Sequence, residues 1–264
     1  MPTTAAVAMT PEQQAEAVAH VLEQHAGQGL LALYLYGSYV AGGLRPASDL
    51  DLLAVLQRPL AVDARAALMT ALLGLSSPPG SSTRRALEVT CVVHDAIVPW
   101  KPPAVRELQF GEWLRDALLA GETGTAELDP DLALLLTQAR ANGIAIRGPA
   151  PASLLPAIPA QDMRDAMYAM LPELARNLIG EEKHALLTLA RMWVTLDRGD
   201  IVSKDVAAAI VAPQLPEAHR AALERARAVY LGDADDDWRG WETRVEACAH
   251  AIASTLVAWR RPTA

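Results

Sequence analysis

LYLYGSYVAGGLRPASDLDLLAVL, residues 33–56, decides how the rest of the chain is read. It joins two apolar runs across a break. The first run, LLALYLY over 30–36, is long enough for a buried strand and stops at Gly37-Ser38. The second, LDLLAVL over 50–56, is a strand whose start carries two acids, Asp49 and Asp51. Side chains two apart on a strand share a face, roughly 7 Å apart at the backbone. Two such carboxylates repel unless a cation sits between them, and Mg²⁺ accepts a few carboxylates while leaving room for phosphate oxygens. Gly37 lets phosphate approach the backbone, Ser38 offers a hydroxyl and an amide at a helix N-terminus, and Ala41, Gly42 and Gly43 keep the region open.

A third run, ALEVTCVV over 86–93, is rich in β-branched residues and holds Glu88 between Leu87 and Val89. If this strand lies beside 50–56, three acids surround one site, an arrangement suited to two-metal phosphoryl transfer. The plain alternative makes Asp49 a turn cap, Asp51 a surface pair and Glu88 an edge-strand residue. It leaves acids among Leu and Val without a reason.

Working outward, residues 11–24 read as a helix capped by Thr10, with Pro11 at its first position and Gln13 completing a capping box. Residues 62–73 form a second helix ended by Gly74, and SSPPGSS over 76–82 is a loop. Pro102-Pro103 is expected to open a helix reaching Ala120, closed by Gly121, and another helix covers 130–141. GPAPASLLPAIPA over 148–160 is the best linker. Beyond it the pattern is helical throughout, over 161–178, 181–198, 203–211, 216–230 and 238–260. The fold class is therefore α+β, with a mixed first domain over 1–156 and an all-α helical bundle over 157–264. In the helix from Glu181, the residues Glu181, His184, Thr188, Arg191 and Thr195 fall within about 80° of one another. Its other residues past the first turn are mostly apolar, which suggests a polar stripe lining a site. His94 and Trp193 read as structural.

The chain has 264 residues, a formal net charge of −8 and a pI near 5.3. Nucleic-acid binding usually shows as a basic patch, and only pairs such as Arg84-Arg85 and Arg260-Arg261 occur. Aromatic residues are 5%, too few for a base-stacking platform. An acidic body suits a cationic small molecule better. Cys91 and Cys248 are far apart and read as buried thiols in a reduced cytoplasm. No secretory leader and no membrane span is expected. No nucleic-acid partner is expected, and a monomer is.

Gly-Ser followed by D-x-D and a third acid on a later strand resembles the polymerase-β-type nucleotidyltransferases. LYLYGSYVAGGLRPASDLDLLAVL, LSSPPG, RALEVTCVV, VPW, QFGEWLR, LTLARMWVTLDRG and KDVAA resemble, more narrowly, the aminoglycoside (3″)(9) adenylyltransferases, over nearly the whole chain. The resemblance implies a nucleotidyltransferase domain with a mixed β-sheet flanked by helices, and a helical domain closing over ATP and the acceptor. It implies that Asp49 and Asp51 bind Mg²⁺, as two ions with Glu88, and that Glu88 is the catalytic base. Gly37, Ser38, Arg191, Lys204 and Tyr230 take nucleotide-contacting places. Trp113, Asn177, Glu181 and His184 take acceptor-contacting places, together with Glu88. Family members that accept streptomycin carry a Trp and an Asp just before the polar-striped helix. Here LPELARNLIGEEKH aligns Pro172 with the Trp and Asn177 with the Asp, and a further drug-binding Asp becomes Glu181. Streptomycin's guanidinium groups want carboxylates. The expected acceptor is thus spectinomycin at its 9-hydroxyl. Dual streptomycin 3″ and spectinomycin 9 transfer, or another hydroxyl acceptor, is the alternative. An antitoxin partner, in which binding replaces turnover, fits a complete acid triad and a dedicated second domain poorly.

Overall fold

The computed structural model describes residues 8–45 and 48–260. Pro46 and Ala47 of the opening stretch, and Arg261 of the last basic pair, lie outside the described residues. The chain divides into two compact units, Met1–Ile158 and Pro159–Ala264.

The first unit is a mixed six-stranded sheet with helices. Helix α1, Pro11–Ala26, begins with the capping box: Gln13 N–H donates to Thr10 Oγ1 at 3.2 Å, and Thr10 N–H to Gln13 Oε1 at 2.9 Å. Strand β1, Leu30–Leu35, runs antiparallel to β2, Leu50–Leu56. Helix α2, Val62–Leu75, carries the chain across to β3, Leu87–Val93, which is parallel to β2. A single turn, α3, His94–Ile97, follows, and then β4, Ala104–Gly111, antiparallel to β3. After α4, Arg115–Leu119, come the edge strand β5, Glu127–Asp129, helix α5, Leu132–Asn142, the other edge strand β6, Ile144–Arg147, and α6, Pro151–Leu154. The strand order is β5-β4-β3-β2-β1-β6.

Alternation along the strands builds two cores. Leu33, Leu35, Leu50, Leu52, Leu87, Val89, Leu108 and Phe110 face one side, where Val18 and Leu22 of α1 and Leu68 and Leu72 of α2 cover them. Tyr34, Tyr36, Leu53, Val55 and Val92 face the other, against Leu132, Leu135 and Leu136 of α5. A sheet covered on both faces explains why the central strands read as nearly continuous apolar runs. Fully burying each Leu contributes about 2 kcal/mol. Arg65 of α2 reaches into this core and pairs with Glu107 of β4 at 2.6 Å.

One expectation is corrected here. The stretch after Pro102-Pro103 is not a helix to Ala120: residues 104–111 are β4, and helical turns begin only at Glu112. The exposed edge of β3 needs a partner, and Leu108 and Phe110 fill the core from that strand. Packing thus overrides the helix preference of Arg, Glu, Leu and Gln. The segment 148–160, read as the linker, contains the boundary between the two units at Ile158 and Pro159, and its earlier part is packed. Leu155 is buried and, with Leu154 and Ile158, packs into the second core of the first unit.

The second unit is helical: α7, Ala160–Leu174, α8, Glu182–Arg198, α9, Lys204–Val211, α10, Glu217–Leu231, and α11, Glu242–Trp259. Helix α8 packs on each of the other four. Its apolar residues are buried, and Trp193 meets Trp259 edge to face at 5.0 Å. Among the described residues no helix is long and apolar enough to cross a membrane.

Candidate active site

One row across the sheet carries the chemistry of the first unit. Tyr36 N–H donates to the Asp51 carbonyl at 3.1 Å, Asp51 is registered beside Glu88, and Glu88 beside Gly111. Adjacent strands lie about 4.8 Å apart, so Asp51 and Glu88 rise side by side from one face. It is the face that α5 covers further along the strands. Both acids are half-buried, at the second position of their strands.

Two glycines make this row possible. Gly37 has φ +67°, and a Cβ there would stand 1.9 Å from Asp51 Oδ2. The sequence suggests Gly37 for the approach of phosphate; the fold adds the need to leave space for Asp51. Ser38 lies in a three-residue 3-10 turn, Gly37–Tyr39, and its amide donates to Asp51 Oδ2 at 3.3 Å. That amide, expected to serve an anion, here reaches the carboxylate. Gly111 is the second case: a Cβ there would meet the Trp113 ring at 2.3 Å. The indole therefore lies against the position next to Glu88, and 58% of Trp113 is exposed, which rules out a core role.

The approach to Asp49 is also held. Arg85 Nη1 donates to the carbonyls of Arg45 at 2.8 Å and Ser48 at 3.0 Å. Leu50 N–H, next in the chain, donates to the Ala86 carbonyl at 2.8 Å. Gln14, fully buried on α1, donates to the carbonyls of Leu75 and Arg85 and accepts from Arg85 N–H. That fixes the lead into β3.

The field of the site is negative. Burial pushes the Tyr36 phenol well above the ordinary tyrosine range, and the charges of Glu88, Asp51 and Asp131 push it the same way, against a hydrogen bond with Thr90. Hard oxygen donors in a negative pocket fit Mg²⁺, which typically takes one or two protein carboxylates and completes its shell with water and phosphate. Among the described residues no three His, Cys, Asp or Glu side chains gather around a common point. The fit is thus to a carboxylate pair plus nucleotide oxygens, not to an all-protein cage.

In the second unit, the expected stripe is shorter than its spacing suggests. Glu181 is the residue before α8, exposed, and Thr195 is buried with its hydroxyl donating to the Asp200 carbonyl at 3.1 Å. His184, Thr188 and Arg191 remain accessible along α8. Desolvation, then the positive charges of Lys204, Arg191 and Lys183, push the His184 imidazole down to about 4. The residue keeps open surface, so the three cations are the firmer part of that cause. Lys204 opens α9 and Tyr230 stands in the last turn of α10, both half-buried. Pro172 sits in the last turn of α7, and Asn177 in the exposed turn that follows it.

Sequence reasoning missed Tyr36, Thr90, Gln109, Gly111, Gln14 and Arg85. Thr90 carried a legible signal, two residues from Glu88 on one strand face. Gln109 was hidden by the helix expected over its segment.

The chain is similar to known proteins over most of its length. Residues 18–102 match the nucleotidyltransferase domain family, and residues 153–255 match the C-terminal domain of aminoglycoside adenylyltransferases. A spectinomycin 9-adenylyltransferase of Staphylococcus aureus (strain Mu50) is 41% identical over 231 residues, covering 87% of this chain and 89% of its own. An aminoglycoside (3″)(9) adenylyltransferase of Escherichia coli is 42% identical over 255 residues, covering 96% and 97%. The crystal structure of spectinomycin adenyltransferase AAD(9) from Enterococcus faecialis with ATP and spectinomycin matches with a TM-score of 0.87 at 33% identity. It covers 92% of this chain and 98% of that one.

Proposed function

The chain belongs to the family of spectinomycin 9- and aminoglycoside (3″)(9) adenylyltransferases, and from that premise we propose that it transfers AMP from ATP to the 9-hydroxyl of spectinomycin, releasing pyrophosphate and conferring resistance. The observation that carries the assignment of roles is the register of Asp51 beside Glu88, with Ser38 N–H on Asp51.

In this reading the first unit is the catalytic domain. Asp49 and Asp51 would hold Mg²⁺, with Glu88 at its margin. When bound, the ion neutralises phosphate charge and orients the α-phosphate. Glu88 accepts the proton of the acceptor hydroxyl. The hydroxyl oxygen forms a bond to the α-phosphorus in line, and the bond to the pyrophosphate oxygen breaks. Positioning and charge neutralisation carry such a transfer, with no covalent enzyme intermediate. Trp113, exposed beside Glu88, offers the acceptor an apolar wall. The cationic side chains of Arg191 and Lys204 suit the polyphosphate, and Tyr230 would be a further nucleotide contact. His184, neutral near pH 7, suits the acceptor as a hydrogen-bond partner.

Asn177 and Pro172 leave streptomycin without one carboxylate and one stacking ring, which favours spectinomycin. The (3″)(9) relatives favour the second reading, transfer to both drugs. Pyrophosphate release with each drug separates the two: turnover of streptomycin establishes the second. In the same assay Glu88→Gln is expected to lower kcat by about 10²- to 10⁴-fold, the usual worth of a general base. Calorimetry is expected to show Mg·ATP binding weakened by Asp49→Asn and largely kept in Glu88→Gln. Full activity of Glu88→Gln would remove the base assignment.

A further inference from the structure

Glu88 ends a chain of side chains that the proposed reaction leaves unused. On the next row of the same sheet face, Thr90 of β3 is registered opposite Gln109 of β4. Thr90 Oγ1 donates to Gln109 Oε1 at 2.8 Å, and Arg106 Nη1 approaches the same oxygen at 3.4 Å. Arg106 can only donate and an ionised Glu88 can only accept, which fixes which end of the amide is which. Gln109 Nε2 is therefore turned towards Glu88 and lies 3.4 Å from its Oε1. That distance is long, as such contacts often are before substrate binds. The anchor behind it is firm: Thr90 is fully buried, and Arg106 is paired with Glu127 and, at 3.1 Å, with Asp129, both on β5.

We infer that Gln109, locked by Thr90 and Arg106, is a positioning residue that holds Glu88 Oε1 and so sets the plane in which the carboxylate meets the acceptor hydroxyl. The inference rests on Glu88 being the base. A glutamate has three side-chain torsions, and a donor on one of its oxygens narrows them. A donor that is itself immobile removes that freedom before the substrate arrives, which is how positioning lowers a barrier. Edge strand β5 thereby supports the site through Arg106, although it stands two strands from Glu88 in the sheet.

The test measures kcat, KM, calorimetric ATP affinity and thermal midpoint for Gln109→Leu, Thr90→Val and Thr90→Ser. Gln109→Leu is expected to lower kcat about tenfold, the low end for a hydrogen bond to a charged group, with ATP affinity unchanged. Thr90→Val, which keeps the shape but loses the hydroxyl, is expected to lower kcat in the same way, and Thr90→Ser to recover most of it. Combining Gln109→Leu with Thr90→Val should cost no more than Gln109→Leu alone. On the Glu88→Gln background, Gln109→Leu should leave the residual single-turnover rate where it is. A kcat within about twofold of wild type in Gln109→Leu, or its full loss persisting without Glu88, overturns the inference. If Gln109→Leu does not fold, equal kcat in Thr90→Val and Thr90→Ser overturns it. Should Glu88→Gln itself stay active, it is the base assignment that fails; a dead Glu88→Gln beside an unaffected Gln109→Leu removes only the role of Gln109.

Discussion

Replacing Gly37 with Ala isolates the contact on which the carboxylate row depends. The added Cβ would lie 1.9 Å from Asp51 Oδ2 and 2.6 Å from its Cγ. Ordinary contact requires a retreat of about 1.5 Å. The backbone cannot absorb this cheaply, because Gly37 has φ +67°, where an L-residue costs about 1–2 kcal/mol. Asp51 is the movable partner, and its movement breaks the 3.3 Å bond from Ser38 N–H. A displacement of this size at a reacting centre costs roughly 100-fold in rate. The expected result is a folded protein, destabilised by about 1–2 kcal/mol, with kcat/KM for pyrophosphate release down by about two orders of magnitude. Gly80→Ala is the control for strain alone: Gly80 has φ +82° but nothing within 4 Å of its added Cβ. It should lose stability and keep its turnover. If Gly37→Ala, shown to be folded, retains kcat/KM within about twofold, or if Gly80→Ala loses as much activity, the reasoning from Asp51 is refuted.

Three further outcomes follow from the same geometry. Trp113→Ala should raise the KM for spectinomycin with little change in melting temperature, since the ring is 58% exposed; a large stability loss would mark it as packing. Arg65→Met should cost about 3 kcal/mol by leaving the buried Glu107 carboxylate without its cation, with Leu60 N–H still donating to it, and Arg65→Met with Glu107→Leu should recover part of that in urea unfolding. For His184, the folded state holds the imidazole neutral down to about 4, against an ordinary value of 6.5. The unfolded chain therefore takes up the proton first as pH falls. The contribution is fully present above 6.5 and lost as pH drops towards 4, so the fall in melting temperature between pH 7 and 5 should be smaller in His184→Asn than in wild type.

The strands at 30–36, 50–56 and 86–93 were legible because apolar residues buried on both faces leave a continuous run, and the acids stood out against them. Helices α1 and α8 were legible from a capping box and from periodicity. Strand β4 was not, because its residues prefer helix when taken alone and become a strand only through the free edge of β3. Thr195 joined the polar stripe on paper, since spacing gives a helix face but not what covers it.

The sequence by itself determined the inventory: two aspartates at the start of a strand, a glutamate on another, and a polar stripe on an apolar helix. A chemical type and a local period are both written in neighbouring residues. Only the tertiary structure decided who meets whom. Register sets Glu88 between Asp51 and Gly111, turns Ser38 N–H onto a carboxylate, lays Trp113 against Gly111 and brings Gln109 to Glu88 from a segment read as helix. The reason is that strand register is a long-range choice. It is fixed by which face each strand buries and by what lies across the next hydrogen-bond ladder, and no stretch of chain contains its own partner.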